Sequence, residues 1–244
     1  MHKEEAMHRF FTNDISGRTA RLTGEDVHHL RRVLRLKKGD EISLCDGAGT
    51  DYTATIESLC DTEVLLTLSE GTPSPYEPGL RATLYQGLPK GAKLDLVVQK
   101  AVEIGAEKIV PLITKRCVSE PVRDFEKKRL RFQRIADEAA KQSRRGILPA
   151  VESPLPIAQV EPKDFDLTLI AYEGERARTL KQALRGKEIN TAAILIGPEG
   201  GFEEREVLAL EEKGAIPVSL GKSILRTETA GLTALSCLFY EVEQ

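Results

Sequence analysis

The sequence lacks any long apolar stretch. No run of apolar residues approaches the roughly 20 that a membrane-spanning helix requires. The first residues, Met1 to Glu5, lack the apolar core of a signal peptide. These absences predict a soluble, cytoplasmic protein without a membrane segment.

Cysteine is scarce and dispersed. The four cysteines show no C-x-x-C spacing and no clustered histidine partners, which argues against a metal site and a structural disulfide. The sequence therefore predicts no metal and four buried, reduced thiols. His28 and His29 are adjacent, whereas two metal ligands on one helix prefer a spacing of four residues.

The familiar nucleotide and nucleic-acid signatures are also missing. The dinucleotide spacing G-x-G-x-x-G is absent. Gly221-Lys222-Ser223 resembles the end of a P-loop, but Ile216 stands where that motif needs glycine. The net charge of −3 excludes a uniformly basic nucleic-acid binder. No RRM or KH signature is present.

Two segments near the C-terminus carry most of the functional information. Ile196–Phe202 reads I-G-P-E-G-G-F, and Leu225–Ala230 reads L-R-T-E-T-A. Each follows an apolar, strand-like run and leads into a segment with helical periodicity. A glycine-rich turn between strand and helix usually indicates a nucleotide site, because glycine lets backbone N–H groups approach a phosphate.

The charges in this turn disfavour phosphate. Glu199 places a carboxylate in the loop, and Glu203 and Glu204 add two more in the first turn of the next helix. Pro198 removes one backbone donor. The predicted ligand is therefore uncharged or cationic. S-adenosylmethionine fits, because its adenosine packs in an apolar slot and its sulfonium cation tolerates a nearby carboxylate.

The motif G-P-E-G-G-F, followed by L-G-x-x-I-L-R-x-E-T-A, resembles the SPOUT methyltransferases, and specifically the RsmE-type enzymes. Similar segments include Arg9-Phe10-Phe11, His29-Leu30-x-x-Val33-Leu34-Arg35, Lys90-Gly91-x-Lys93 and Gln142-Ser143-x-Arg145, so the resemblance covers the chain from about residue 7 to the end. One departure is Arg144, which stands where a small residue is common. The resemblance implies methylation of N3 of a uridine in small-subunit (16S) ribosomal RNA.

The chain divides into two predicted domains. Strand patterns occupy Glu41–Cys45, Tyr52–Leu59 and Val64–Leu68, after a helix capped by Thr23 and Asp26 with Val27, Leu30, Val33 and Leu34 on its apolar face. Residues 71–79 hold three prolines and two glycines and form the predicted linker. Residues 1–6 read as an appended or alternative start.

Strand and helix patterns alternate from residue 80 to the end. This alternation predicts an α/β fold with a mostly parallel sheet covered on both faces. The predicted helices include 93–104, 124–143, 176–184, 203–213 and 229–241, and a predicted strand at 216–220 precedes the last. The resemblance implies a small PUA-like β-barrel domain over 7–70 and a SPOUT domain over 80–244 with a C-terminal knot.

The predicted cofactor site lies in three loops that follow strands, because open α/β sheets place ligands at the carboxyl ends of strands. Its residues are Tyr172, Ile196, Gly197, Gly200, Gly201, Leu220, Gly221, Ile224 and Leu225. The glycines are expected to make room for the cofactor, and Ile196, Leu220 and Leu225 to contact its adenine. Turn glycines and plain core leucines are the alternative interpretation.

The predicted catalytic residues are Arg145, Arg226 and Glu228. Uridine N3 is nucleophilic only as the anion, and arginine, a permanent cation, is suited to stabilise that anion. Glu228 or a water would accept the proton. Alternatively, Glu228 and Arg145 are merely helix-capping residues.

Basic residues cluster in three runs on an acidic background, which favours a localised RNA footprint, although such runs are often only the solvated face of a helix. Four residues are predicted to contact RNA: Arg9, Arg32, Arg35 and Lys38. The resemblance also implies a homodimer. The apolar surface of the dimer interface is expected to come from Val102, Ile104, Leu232, Leu235 and Leu238. Two alternatives stay open: a non-catalytic ribosomal RNA-binding assembly factor, and methylation of tRNA or 23S rRNA by the same fold.

Overall fold

A computed structural model describes residues 7–117 and 125–243 of the chain. The structure divides into two compact units. The first unit extends to Glu77 and also includes Ala140–Leu148, while the second comprises Pro78–Ala139 and the residues from Pro149 onward. The sequence predicted instead that Ala140–Leu148 belongs to the second domain, over 80–244.

The first unit is built on a mostly antiparallel sheet. Its strands have the spatial order β1-β4-β5-β6-β3-β2, with β7 paired to β5, and only β1 and β4 run parallel. The strands are β1 (Arg9–Phe11), β2 (Ile15–Ser16), β3 (Thr19–Thr23), β4 (Glu41–Cys45), β5 (Thr50–Leu59), β6 (Glu63–Leu68) and β7 (Thr72–Pro73). Alternating side chains of these strands enclose a core that includes Leu22, Ile42, Leu44, Ile56 and Leu66.

The predicted helix after Thr23 is short and irregular. Helix α1 spans only Glu25–His28, and its N-cap is Gly24, with no side-chain cap, so the predicted Thr23 and Asp26 cap is wrong. The chain then continues as a π-helical turn over His29–Val33, in which the N–H of Leu34 donates to the carbonyl of His29. The wider turn rotates Val33 out of the apolar face. Val33 is 60% exposed, contrary to the prediction that it packs inward.

The second unit contains the predicted parallel sheet. Its strand order is β10-β9-β8-β13-β12-β14, with β11 also paired to β9, and every pairing is parallel. The strands are β8 (Arg81–Gly87), β9 (Lys108–Ile113), β10 (Ala150–Val151), β11 (Leu155–Pro156), β12 (Leu167–Ala171), β13 (Thr191–Ile196) and β14 (Ile216–Val218). The central strands are almost continuous apolar runs, as a sheet buried on both faces requires.

The helices of this part of the chain largely match the sequence pattern. They are α2 (Lys93–Ile104), α3 (Phe125–Gln142), α4 (Leu180–Leu184), α5 (Glu204–Glu212) and α6 (Thr227–Glu243), with 3-10 turns at Ile157–Gln159 and Pro162–Asp164. Asp124, predicted to begin α3, lies outside the described residues. After β14, at one edge of the sheet, α6 returns to pack on α2 and the central strands β8 and β13.

Helix α4 begins later than predicted. It starts after Thr179, where Thr179 and Gln182 form a reciprocal capping box. Upstream, one carboxylate oxygen of Glu175 accepts the N–H groups of Ala177 (2.6 Å) and Arg178 (3.0 Å), which fixes this segment as a loop. The predicted helical start at Arg176 is therefore wrong.

The four cysteines all lie within the described residues, and all are free thiols. Cys45 is buried, and burial raises the pKa of its thiol to about 11. Cys117 is half-buried, whereas Cys60 and Cys237 are exposed. The prediction that all four thiols are buried is thus wrong for these last two.

Candidate active site

Three loops meet at one edge of the sheet because their strands end level with one another. Ala171, the last residue of β12, pairs with Ile196 at the end of β13 and with Val218 at the end of β14. The three loops that follow therefore begin side by side, at the carboxyl edge where open α/β sheets bind ligands. We call them loop A (172–175), loop B (197–203) and loop C (219–226).

Loop B is a tight turn whose conformation depends on glycine. The N–H of Gly201 donates to the carbonyl of Pro198 (2.9 Å), and Gly201 has a φ of 67°. A Cβ on Gly201 would lie 3.2 Å from a carboxylate oxygen of Glu173 in loop A. Loops A and B are thus in close contact, and a larger residue at position 201 would separate them.

Gly200 makes room for a protein side chain. A Cβ on this residue would lie 3.0 Å from Cβ of Arg116, and Nη1 of Arg116 donates to the Gly200 carbonyl (2.9 Å). The prediction was that the loop B glycines make room for a ligand, but at Gly200 the group that takes up the space is a protein side chain. Arg116 occupies the side-chain space beside Gly200, and a ligand could meet only the backbone there.

Loop C offers apolar surface to solvent. Ile224 is 84% exposed, while Leu220 and Leu225 are half-buried. Ile196, by contrast, is only 2% exposed at the end of β13, so its side chain belongs to the core. An exposed isoleucine between two half-buried leucines is a surface that a flat apolar ligand group would cover.

A buried chain of hydrogen bonds links β8, loop B and α6. Nε2 of Gln86 donates to Oγ1 of Thr227 (2.8 Å), which in turn donates to the carbonyl of Gly197 (2.6 Å). Gln86 is fully buried and Thr227 is nearly so. Because buried polar groups are costly when unpaired, this chain fixes the start of α6 against loop B.

An ionic cluster lies beside this chain. Nζ of Lys93 is 2.9 Å from Oε1 of Glu199 and 3.4 Å from Oε2 of Glu228. The Glu199 oxygen also accepts the N–H of Lys90 (3.1 Å). Burial alone would raise the pKa of Glu199, but the hydrogen bonds from Lys93 and from the backbone hold it below its usual value. The hydrogen bond that Lys93 donates to Glu199 raises the pKa of Lys93.

This cluster changes the interpretation of Glu199. The sequence suggested a carboxylate directed at the ligand space, but the structure pairs it with Lys93 and the Lys90 backbone. Glu228 is different. Its Oε2 is buried and accepts no hydrogen bond from the described residues, although the Lys93 ammonium is 3.4 Å away. Glu228 is therefore held by the charge of Lys93 and not by a hydrogen bond at Oε2.

Arg226 stands at the start of α6 with an exposed side chain. Its carbonyl accepts the N–H groups of Thr229 (2.9 Å) and Ala230 (2.8 Å), so its backbone begins the helix. Within the described ranges, its guanidinium makes no ion pair or hydrogen bond. Arg226 and Glu228 thus both lie where loop C leads into α6, and the Arg226 side chain is exposed.

Arg145 and Arg9 belong to the first unit, where both are engaged in a buried network. Nε of Arg145 donates to Oε2 of Glu77 (3.0 Å), and the Arg145 side chain is only 3% exposed. Arg9 forms a two-pronged pair with Asp51 at 2.7 Å and donates to the Arg145 carbonyl (3.0 Å). Arg145, predicted for catalysis, and Arg9, predicted for RNA contact, thus make hydrogen bonds within the first unit in this conformation.

The other predicted RNA contacts are accessible. Arg32, Arg35 and Lys38 are all exposed around the end of the π-helical turn, beside the exposed Val33. Arg35 has a φ of 55°, a left-handed conformation that non-glycine residues seldom adopt. Neighbouring Arg31 is instead paired with Asp61.

Other features of the described residues are distinct from the three loops. An open cavity of about 580 Å³ lies between the 3-10 turn at Ile157–Gln159 and α5, with Ile113, Ile157, Ala209 and Leu210 among its lining residues. No group of three or more potential metal ligands occurs within the described ranges. No helix in this part of the chain is long and apolar enough to cross a membrane.

Sequence reasoning missed the residues that position the site. Gln86, Lys93 and Thr227 each bridge segments that are far apart in the chain. Two signals were available: the segment Lys90-Gly91-x-Lys93, which is part of the resemblance but was given no role, and the L-R-T-E-T-A segment, which contains Thr227 but assigned it no role. Nothing in the local pattern around Gln86 distinguishes it from an ordinary strand-end residue.

Comparison with known proteins agrees with this architecture. The RNA methyltransferase domain family matches residues 76–239, and the RNA methyltransferase PUA domain family matches residues 22–69. The fold and loops thus define a SPOUT-type RNA methyltransferase preceded by a PUA-like domain, which confirms the predicted fold class.

Individual relatives narrow the family. Ribosomal RNA small subunit methyltransferase E of Bacillus subtilis is 36% identical over 92% of this chain and 91% of its own length. The protein of the same name from Synechocystis is 37% identical over 89% of this chain and 72% of its own. The crystal structure of the Neisseria gonorrhoeae enzyme of that name, bound to S-adenosyl methionine, superposes with a TM-score of 0.81 at 30% identity and covers 95% of this chain and 96% of its own. The chain belongs to the ribosomal RNA small subunit methyltransferase E family.

The Gln86–Thr227 pair yields a stability prediction. Thr227→Val keeps the side-chain shape but leaves Gln86 and the Gly197 carbonyl without their partner, so the free energy of unfolding should fall by about 1–3 kcal/mol. Thr229→Val, an exposed site in the same helix turn, is the matched control and should change it little. Equal unfolding midpoints for both variants in urea titrations would contradict the structural importance of this chain.

Proposed function

We propose that the protein transfers a methyl group from S-adenosylmethionine to N3 of a uridine in small-subunit ribosomal RNA. The observation that carries the proposal is that loops A, B and C begin side by side at the carboxyl edge of the sheet, where loop C leads into Arg226 and Glu228 at the start of α6. Membership of the methyltransferase E family supports it, as do the names of the relatives and the S-adenosyl methionine bound in the Neisseria gonorrhoeae structure.

The loops suit S-adenosylmethionine on three counts. Ile224, Leu220 and Leu225 provide the apolar surface for adenine, with Tyr172 at the start of loop A. The glycine-rich backbone of loop B, with Gly197, Gly200 and Gly201, allows close approach, and Gly221 adds an open position in loop C, where nothing lies within 4 Å of its missing Cβ. Glu173 supplies a negative charge compatible with a sulfonium.

The chemistry at the substrate needs one proton removed from N3. S-adenosylmethionine, when bound, supplies an electrophilic methyl group. The Glu228 carboxylate, whose side chain is 15% exposed, is suited to take the N3 proton, directly or through a water. The Arg226 guanidinium then stabilises the negative charge that develops on the uracil oxygens. Lys93, through Glu199 and Glu228, is a positioning residue that keeps the carboxylate in place.

The first unit supplies the RNA-binding surface in this proposal. Arg32, Arg35 and Lys38 are exposed and suited to contact phosphates, which fix the orientation of the RNA. Arg9 and Arg145 are nearly buried, so their contribution is to hold this surface in shape through Asp51 and Glu77. Direct contact of either residue with substrate would require the network to open.

The decisive experiment measures methyl transfer directly. The substrates are assembled small subunits from a strain lacking the methylation and the naked RNA extracted from them. Each is incubated with the purified protein and methyl-labelled S-adenosylmethionine. The RNA is then digested to nucleosides for mass spectrometry. We expect labelled 3-methyluridine with the wild-type chain. Arg226→Ala should lower the turnover by about 10²–10³-fold while both affinities stay nearly unchanged.

The pH dependence separates roles for Arg226. Raising the pH supplies more uridinate from solvent, so part of the Arg226→Ala defect should be rescued at alkaline pH. A variant with normal turnover and weakened RNA binding would assign Arg226 to RNA positioning. Label in tRNA or 23S rRNA alone would favour the alternative substrates, and no label in any RNA would favour the assembly-factor hypothesis.

The cofactor site has its own test. Gly201→Val adds a branched side chain at a φ of 67° and against Glu173, so it should abolish binding of S-adenosylhomocysteine in calorimetric titrations. Gly214→Val is the matched control, because Gly214 also has a positive φ (107°) but has free space and lies in the turn after α5. The wild-type chain should bind neither ATP nor NAD. Competition between ATP and S-adenosylhomocysteine would contradict the assignment.

A homodimer completes the proposal. Val102, Leu235 and Leu238, expected to supply the apolar interface, are fully buried within the chain, whereas Ile104 and Leu232 are half-buried. Exposed apolar side chains on the same two helices are Leu96 (45%) and Tyr240 (66%). These residues offer a surface suited to a two-fold interface.

The dimer proposal predicts the mass of the protein in solution and the substitutions that should separate the two subunits. Sedimentation at micromolar concentration should give about twice the 27.0 kDa chain mass, and Leu96→Glu with Tyr240→Glu should give the monomer. Leu208→Glu, which alters an exposed leucine on α5, is the control and should leave the dimer intact. A monomeric wild-type chain at these concentrations would contradict the dimer.

A further inference from the structure

Two non-glycine residues in the described part of the chain have a positive φ, and both are arginines of the first unit. They are Arg35 (55°) and Arg144 (60°). Arg144 follows the last turn of α3, a position where a left-handed residue commonly ends a helix and where glycine is favoured. An arginine here is strained relative to glycine, and such strain is often retained at functional positions.

The side chain of Arg144 lies over an exposed aromatic ring. Its Cζ is 5.7 Å from the ring centroid of Tyr76, within the range of a cation–π contact. Tyr76 is 50% exposed and Arg144 is exposed. Both residues belong to the first unit, so the pair is a surface feature of that unit.

The residues next to this pair are held rigidly. Arg145, which follows Arg144, is bound to Glu77, which follows Tyr76. Oε2 of Glu77, which accepts from Nε of Arg145, also accepts the N–H groups of Gly146 (2.9 Å) and Ile147 (3.1 Å). A Cβ on Gly146 would lie 2.4 Å from Cβ of Ser74, so Gly146 packs directly against the Ser74 side chain. The two segments are clamped together, which fixes Tyr76 and Arg144 in place and sustains the left-handed Arg144.

We propose that Tyr76 and Arg144 form a platform on which an unpaired base of the RNA substrate stacks. Single-stranded RNA is recognised largely by stacking of unpaired bases on aromatic rings and arginine planes. A rigid, exposed tyrosine with a guanidinium beside it offers both surfaces without further ordering of the protein. The proposal rests on RNA as the substrate and adds a contact for a base to the phosphate contacts of Arg32, Arg35 and Lys38.

The two interpretations of the Tyr76–Arg144 pair predict different RNA affinities for variants that lack it. If the stack is only local surface packing, its removal leaves RNA affinity unchanged. If it receives a base, removal of the ring weakens binding without changing the number of phosphates contacted. The salt dependence of binding therefore distinguishes a base contact from a charge contact.

The experiment compares variants in binding to small subunits that lack the methylation, measured by filter binding over a series of potassium chloride concentrations. Tyr76→Leu should weaken binding by about 5- to 100-fold with an unchanged salt slope, and Tyr76→Phe should bind like the wild type. Arg144→Gly should weaken binding while its melting temperature stays equal or rises, because glycine relieves the strained φ. Arg18→Gly removes an exposed charge from the same unit and calibrates the effect of charge alone.

Wild-type affinity in Tyr76→Leu, or equal weakening by Arg144→Gly and Arg18→Gly, would overturn the platform. Thermal melting of each variant excludes loss of the fold as the cause. S-adenosylhomocysteine affinity should be unchanged in all four. If the wild-type chain methylates the subunit but the stack variants bind normally, the platform fails while the proposed function stands. If the wild-type chain does not methylate any RNA, the proposed function fails, and the platform, which rests on RNA as the substrate, fails with it.

Discussion

The hydrogen-bond chain from Gln86 through Thr227 to the Gly197 carbonyl is the constraint on which the proposed site depends. It joins the end of β8, the beginning of α6 and the first residue of loop B, three segments that are far apart in the sequence. Because both donors are buried, each bond is costly to break and the three segments keep one arrangement. The level ends of β12, β13 and β14 bring the loops together, and this chain fixes loop B relative to Arg226 and Glu228.

Charge in the site is arranged around this frame. Glu199 is satisfied by Lys93 and the Lys90 backbone, so the carboxylate of the G-P-E-G-G segment serves to fasten the β8–α2 connection to loop B. Two further charged residues lie where loop C leads into α6: Arg226, which is exposed, and Glu228, whose Oε2 is 3.4 Å from the Lys93 ammonium. An exposed arginine and a carboxylate two residues apart are groups suited to moving one proton and stabilising the anion that results.

Local periodicity predicted much of the second unit, because its central strands and amphipathic helices are set by burial along the chain. Helix α2, for example, has the predicted ends, Lys93 and Ile104. Features set by distant partners were not predictable in the same way. Strand β1 pairs with β4 more than 30 residues later, the π-helical turn removes Val33 from its expected face, and Arg145 meets Glu77 across a separation of 68 residues. In the site, the loops were found from their glycines, whereas the roles of Gln86, Lys93 and Glu199 depend on contacts that no local pattern records.

Hydrogen exchange with and without S-adenosylhomocysteine tests the location of the site most directly, because it reports on the backbone N–H groups of each loop in the intact chain. The account predicts that the ligand slows exchange in loops A, B and C and at the beginning of α6, with little change elsewhere in the described residues. Protection confined to the cavity between Ile157 and Leu210, with the three loops unaffected, would contradict it.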